Sequence, residues 1–250
     1  MNADLFNFVA GLADDRLVLG HRLSEWCGHA PILEEDIALA NIALDLIGQA
    51  QNFLKLAGDI EGAGRNEDQL AYFRDPAQFL NLQLVEQPNG DFAFTIARQA
   101  IFDCWSVYLL EALSSSSHQE LAALCVRAAK EDRYHWKHSS TWVQRLGDGT
   151  AESHQRMQSA FDALWSFTPE LFQATAAQQK LVAAGLIPNL SSLESQWRKA
   201  MNELLEMATL KVPTVGAAAG RPARSQHTAH LAPMLSEMQG LARAFPGAAW

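Results

Sequence analysis

Asp132 and His135 stand three residues apart on an apolar stripe formed by Leu121, Leu124, Cys125, Ala128, Trp142 and Leu146, with Ser139 one step further along it. Residues three apart on a helix share a face and can grip one ion. An acid and a histidine on a core-facing stripe must be paired or neutralised, because an isolated buried charge is costly. This pair therefore either binds a metal or bonds internally. Glu131 lies at the edge of the stripe.

Helical bundles build di-metal sites from a Glu on two helices and Glu-x-x-His on two more, so acids halfway along the other helical segments are the next candidates. One segment carries Gln99, Asp103 and Ser106 along a line that also holds Phe92 and Leu110. Another is apolar nearly all round, and its one polar line is Asn41, Asp45, Gly48 and Asn52. That composition predicts a helix central in the bundle, with the polar line facing an internal seam or a narrow window on solvent. Asp45 fits the acid of an Asp-x-x-His pair, but Gly48 occupies the histidine position. A further segment offers Asp14 and Asp15, of which Asp15 is nearer its apolar stripe. Asp15, Asp45, Asp103, Asp132 and His135 thus resemble a di-iron constellation that has lost parts. Shortening Glu to Asp withdraws each oxygen by about one bond length, and such a site tolerates little slack.

The elements that must position these residues are helical almost throughout. Long segments are rich in Ala, Leu, Glu and Gln, and runs of alternating β-branched residues are missing. Helices are predicted over 3–28, 33–57, 91–113, 118–146, 150–174, 191–209 and 230–244, with short pieces between 67 and 82 split at Asp75-Pro76. Gly58, Gly62 and Gly64 mark the end of the second, and Gly147 with Gly149 the end of the fourth. Tight connections make the first two and the next two antiparallel neighbours, and Lys211 to Gln226 reads as a loop or crossover. The expectation is one all-α domain over 1–250, a four-helix bundle with a crossover and extra C-terminal helices.

Composition narrows the function. The chain has 250 residues, 48% apolar and 19% charged, with a net charge of −9, which disfavours nucleic acid or an anionic membrane as partner. No apolar run suits a bilayer crossing and the N-terminus does not read as a signal peptide, so a cytoplasmic location is expected. Cys27, Cys104 and Cys125 are scattered and read as small buried hydrophobes. His227 and His230, with Glu237 later, lack a His-Glu-x-x-His arrangement and read as surface histidines at a helix start. Nucleotide-binding and hydrolase motifs are missing.

Four runs carry a family resemblance: LVLGHRLSEWCGHAPILEEDIALANIALDLIGQAQNFLKLAG, Leu17 to Gly58; NLQLVEQPNGDFAFTIARQ, Asn81 to Gln99; KEDRYHWKHSSTWVQRLGDGT, Lys130 to Thr150; and HTAHLAPMLSEMQ, His227 to Gln239. They resemble the PaaC-like structural subunits of phenylacetyl-CoA epoxidase, and the likeness extends to the terminal Trp250. The resemblance implies a ferritin-like fold and assembly with a homologous PaaA-like catalytic subunit that holds the di-iron site. It also implies a small PaaB-like bridging subunit and a reductase carrying flavin (FAD) and an iron–sulfur centre, fed by NADPH. Such complexes insert one oxygen atom from O₂ across the aromatic ring of phenylacetyl-CoA. The family implies no catalytic residue, cofactor or metal in this chain, which makes the five polar residues above vestigial-site candidates. Two rivals are a di-iron oxygenase or oxidase active in its own right, with those five as ligands, and a small-molecule carrier using the bundle core.

Overall fold

The computed structural model describes residues 2–214 and 224–248, and among them every regular element is helical. The ten α-helices are α1 (Asn2–Ser24), α2 (Leu33–Glu61), α3 (Glu67–Tyr72), α4 (Gln83–Glu86), α5 (Phe92–Leu113), α6 (Gln119–Gly147), α7 (Ala151–Leu164), α8 (Ala176–Ala183), α9 (Glu194–Met207) and α10 (Leu231–Ala244). The described residues fall into two compact units, 2–88 with 224–248, and 89–214.

The first unit is built on the hairpin of α1 and α2. Its tight connection is tied by Asp36, whose carboxylate accepts from the backbone N–H of Gly28 at 2.8 Å. Gly28 has φ +80°, a conformation that favours glycine. The first helix ends at Ser24, a turn earlier than expected, because the chain tightens into successive turns from Leu23 onward. α1 is buried on every face from Phe8 to Gly20, and that stretch includes Asp14, Asp15 and Arg16. α2 corrects the sequence expectation. It buries Leu39, Ile42, Leu46, Ala50 and Phe53, but Leu33, Ile37, Leu44 and Ile47 are exposed. The helices enclosed all round are α1 and, from Thr95 to Val107, α5.

α2 also runs through Gly58 and stops only at Gly62, which is left-handed at φ 68°. Gly58 serves a different purpose: a β-carbon there would run into the backbone carbonyl of Arg65. α10 packs on α3, and Gln239 donates to the backbone carbonyls of Ala71 and Arg74, both at 3.0 Å. The centre of the expected crossover, 215–223, lies outside the described residues.

The second unit is built on the hairpin of α5 and α6, with α7 and α9 packed against both helices. α5 is capped by Asp91, which accepts from the N–H of Phe94 at 2.9 Å. α6 buries one clean stripe, Leu121, Cys125, Ala128, Asp132, His135, Ser139 and Val143. The predicted helix over 150–174 is shorter: α7 gives way at Trp165 to a 3₁₀ segment containing Pro169. Helix α8 was not expected; it starts from a reciprocal cap between Thr175 and Gln178. Trp105, Trp165 and Trp197 fill the core, and the indoles of Trp105 and Trp197 donate to the carbonyls of Leu171 and Ile101. Cys104 and Cys125 are buried as expected, whereas Cys27 is exposed at the α1–α2 turn.

Candidate functional site

Three of the five sequence candidates meet between α5 and α6. Asp103 on α5 and Asp132, His135 on α6 are all essentially shut off from solvent. The Asp103 carboxylate accepts at one oxygen from Gln99, one turn earlier, at 2.7 Å. Its other oxygen accepts from Ser139 on α6 at 2.8 Å. The Asp132 carboxylate accepts from the hydroxyl of Ser106 on α5, and its other oxygen lies 3.7 Å from His135 Nδ1. Two hydroxyls, one amide and one imidazole therefore surround two carboxylates, and each carboxylate is bridged to the facing helix by a serine.

Burial dominates the electrostatics here. Desolvation pushes the Asp103 carboxyl up to about 7, opposed by His135 and Ser139 and reinforced by the nearby Asp132. The Asp103 carboxyl is therefore suited to holding a proton in the seam between α5 and α6.

Asp15 is engaged elsewhere. One of its oxygens accepts from the N–H of Leu82 at 2.7 Å, and Arg224 donates to the other at 3.0 Å. Burial raises its pKa, with the Arg224 guanidinium pulling back. The adjacent Asp14 is taken by Arg74, whose Nη1 donates at 3.0 Å. Asp45 lies half-buried on the flank of α2, between the exposed Asn41 and the half-buried Gly48. Among the described residues, no group of three or more His, Cys, Asp or Glu side chains is arranged to hold a metal ion.

Sequence reasoning missed a second polar centre. Glu86, fully buried at the end of α4, accepts from Asn81 at 2.8 Å, from His227 Nδ1 at 2.6 Å, and from the N–H and hydroxyl of Thr228 at 2.7 and 2.6 Å. His227 is therefore no surface residue: its Nε2 also meets the carbonyl of Phe79 at 3.0 Å. Arg22 donates to the carbonyls of Glu86 and His230, so this cluster pins the start of α10. Glu86 stands in a four-residue helix without periodicity, and nothing in its local sequence marked it as buried.

Among the described residues, no helix is long and apolar enough to cross a membrane. A family model described as phenylacetic acid catabolic protein, covering PaaA and PaaC chains, matches residues 1–250. The chain is also 49% identical, over 97% of its own length and 98% of the relative's, to a protein of Escherichia coli strain K12 named as a subunit of 1,2-phenylacetyl-CoA epoxidase. With a full-length family match, a relative this similar and an all-helical fold, the chain belongs to the ferritin-like phenylacetic acid catabolic protein family.

Proposed function

We propose that this chain is a non-catalytic structural subunit of a phenylacetyl-CoA epoxidase, serving aerobic phenylacetate breakdown in the cytoplasm. The observation that carries the reading is the way its carboxylates are spent. Asp103 and Asp132 are bridged by Ser139 and Ser106, and the charge of Asp15 is met by Arg224. A pair of iron ions needs about four carboxylates and two imidazoles with lone pairs turned inward, which these residues do not supply. Vestigial candidates Asp15, Asp45, Asp103, Asp132 and His135 are thus read as structural, with no metal ligand or catalytic residue among them.

In this proposal a PaaA-like catalytic subunit holds the di-iron centre and the thioester substrate. A PaaB-like subunit bridges, and a reductase with FAD and an iron–sulfur centre delivers NADPH electrons. The reading is supported by the 49% identity to a relative named as a subunit of such an epoxidase. We also propose that 1–250 folds as one ferritin-like domain, which a single calorimetric transition would support.

Co-expression with the catalytic subunit tests the proposal, followed by size analysis and iron quantification on each separated chain. The expected result is a stable hetero-oligomer with iron in the catalytic subunit alone. Near-stoichiometric iron in this chain, with oxygen-dependent turnover, would instead make it an oxygenase in its own right.

A further inference from the structure

His227 presents both of its ring nitrogens to acceptors. Nδ1 lies 2.6 Å from a carboxylate oxygen of Glu86, and Nε2 lies 3.0 Å from the carbonyl oxygen of Phe79. A neutral imidazole has one N–H and one lone pair, so either tautomer would turn a lone pair on an oxygen. Only the doubly protonated ring donates at both ends.

The other partners of Glu86 make it the anion of this pair. Asn81 donates to the same oxygen as His227, and the N–H and hydroxyl of Thr228 donate to the other. The Thr228 hydroxyl itself accepts from the N–H of His230 at 3.3 Å, which leaves its own proton for Glu86. The Glu86 side chain is fully enclosed and that of His227 is 9% exposed, so the two charges attract with little water between them.

Other charged groups bound the cluster. Arg22 on α1 reaches the main-chain carbonyls of Glu86 and His230, and its charge is met by Glu25 at 2.8 Å. Asp15, also on α1, holds Arg224 at the start of the segment. Burial raises the Asp15 pKa, but its charge is lost only as pH falls, so this hold persists as pH rises. The side chain of His230 belongs to an exposed residue. Gln239 and Arg243 fasten the far half of α10 to the carbonyls of Ala71, Tyr72 and Arg74, through groups that do not titrate near neutrality. A change of charge at His227 therefore acts on a short segment with fixed ends.

We infer that residues 224–231 form a proton-operated strap, closed while His227 is an imidazolium on Glu86 and released from α4 when that ring gives up its second proton to solvent. The closed strap holds one proton more than the released one, so closure weakens as pH rises. It weakens also in acid strong enough to protonate Glu86 and remove its charge. The inference goes beyond the proposed function and does not depend on it.

Amide hydrogen exchange on the full chain at about pH 6 and about pH 9, corrected for the base catalysis of exchange itself, tests it. The Thr228 N–H is the reporter, because it donates to Glu86 directly. Its protection relative to α1 is expected to fall about tenfold from the lower pH to the higher. In His227→Gln protection should be low at both, since an amide brings donors to one end only, and in His230→Gln the fall should match the parent. Nitrogen NMR of the His227 ring at the lower pH should show a proton on both nitrogens, a readout that stands even if His227→Gln misfolds. Equal protection at the two pH values, a fall that survives in His227→Gln or disappears in His230→Gln, or a singly protonated ring at the lower pH would each overturn the inference.

Discussion

The hydroxyl of Ser139 donates to the carboxylate of Asp103 across 2.8 Å, and this bond joins α6 to α5 between side chains closed off from solvent. A carboxyl in that position exchanges water for two donors, and burial still wins, which holds its pKa near 7 rather than at the ordinary 3.8. The folded chain therefore binds a proton more tightly than the unfolded chain at this site.

Stability should fall as pH rises from about 4 to about 7 through this group, because its contribution is complete below the unfolded pKa and lost through the folded one. Asp103→Asn removes the ionisation while keeping the shape. Its stability should match the parent near the low end and exceed it above neutrality, by on the order of a few kcal/mol. Urea unfolding at a series of pH values measures this, and a difference that does not change with pH would refute it.

Arg224 and Asp15 predict a coupled pair. Arg224→Ala leaves Asp15 buried beneath Leu82 without its guanidinium, at a cost of about 3–5 kcal/mol. Adding Asp15→Asn should recover part of that loss, because the stranded charge goes with it. A double-mutant cycle by chemical denaturation reads the coupling; simple additivity would mean the two residues act independently.

Glu86→Ala removes the acceptor that Asn81, His227 and Thr228 share. The stranded donors should destabilise the fold by about 2–3 kcal/mol. The segment around His227 and the first turn of α10 should exchange amide hydrogen faster than α1 or α2. Equal protection across the first unit in this variant would show that the cluster does not anchor α10.

Gly147→Ala should also destabilise, by about 1–3 kcal/mol, since the new β-carbon would lie 2.8 Å from that of Ala208 at the end of α9 and against its carbonyl. Thermal melting checks this. Gly149, just beyond the helix, meets only the end of its own chain turn and Ser153, so the two glycines of the same terminus have different reasons to be small.

Much of this architecture is written locally. The 3.6-residue rhythm of α6 put Asp132, His135 and Ser139 on one buried stripe, and the structure keeps them there. Breakers placed the split at Asp75-Pro76 and the end of α2 near Gly62, because the backbone constraints they impose act between neighbours in sequence. Polar partners were not legible, since bonds such as Arg224 to Asp15 or His227 to Glu86 join residues 209 and 141 positions apart.

The sequence alone determined that the chain is all-α, where most of its long helices run, and which polar residues share a face of α5 or of α6, because periodicity acts within a few residues. The tertiary structure alone decided that α1 rather than α2 is enclosed, that two neighbouring aspartates take different arginines, and that His227 closes on a buried glutamate. Burial and charge pairing depend on which surfaces meet, and how apolar a helix is does not by itself say what packs against it.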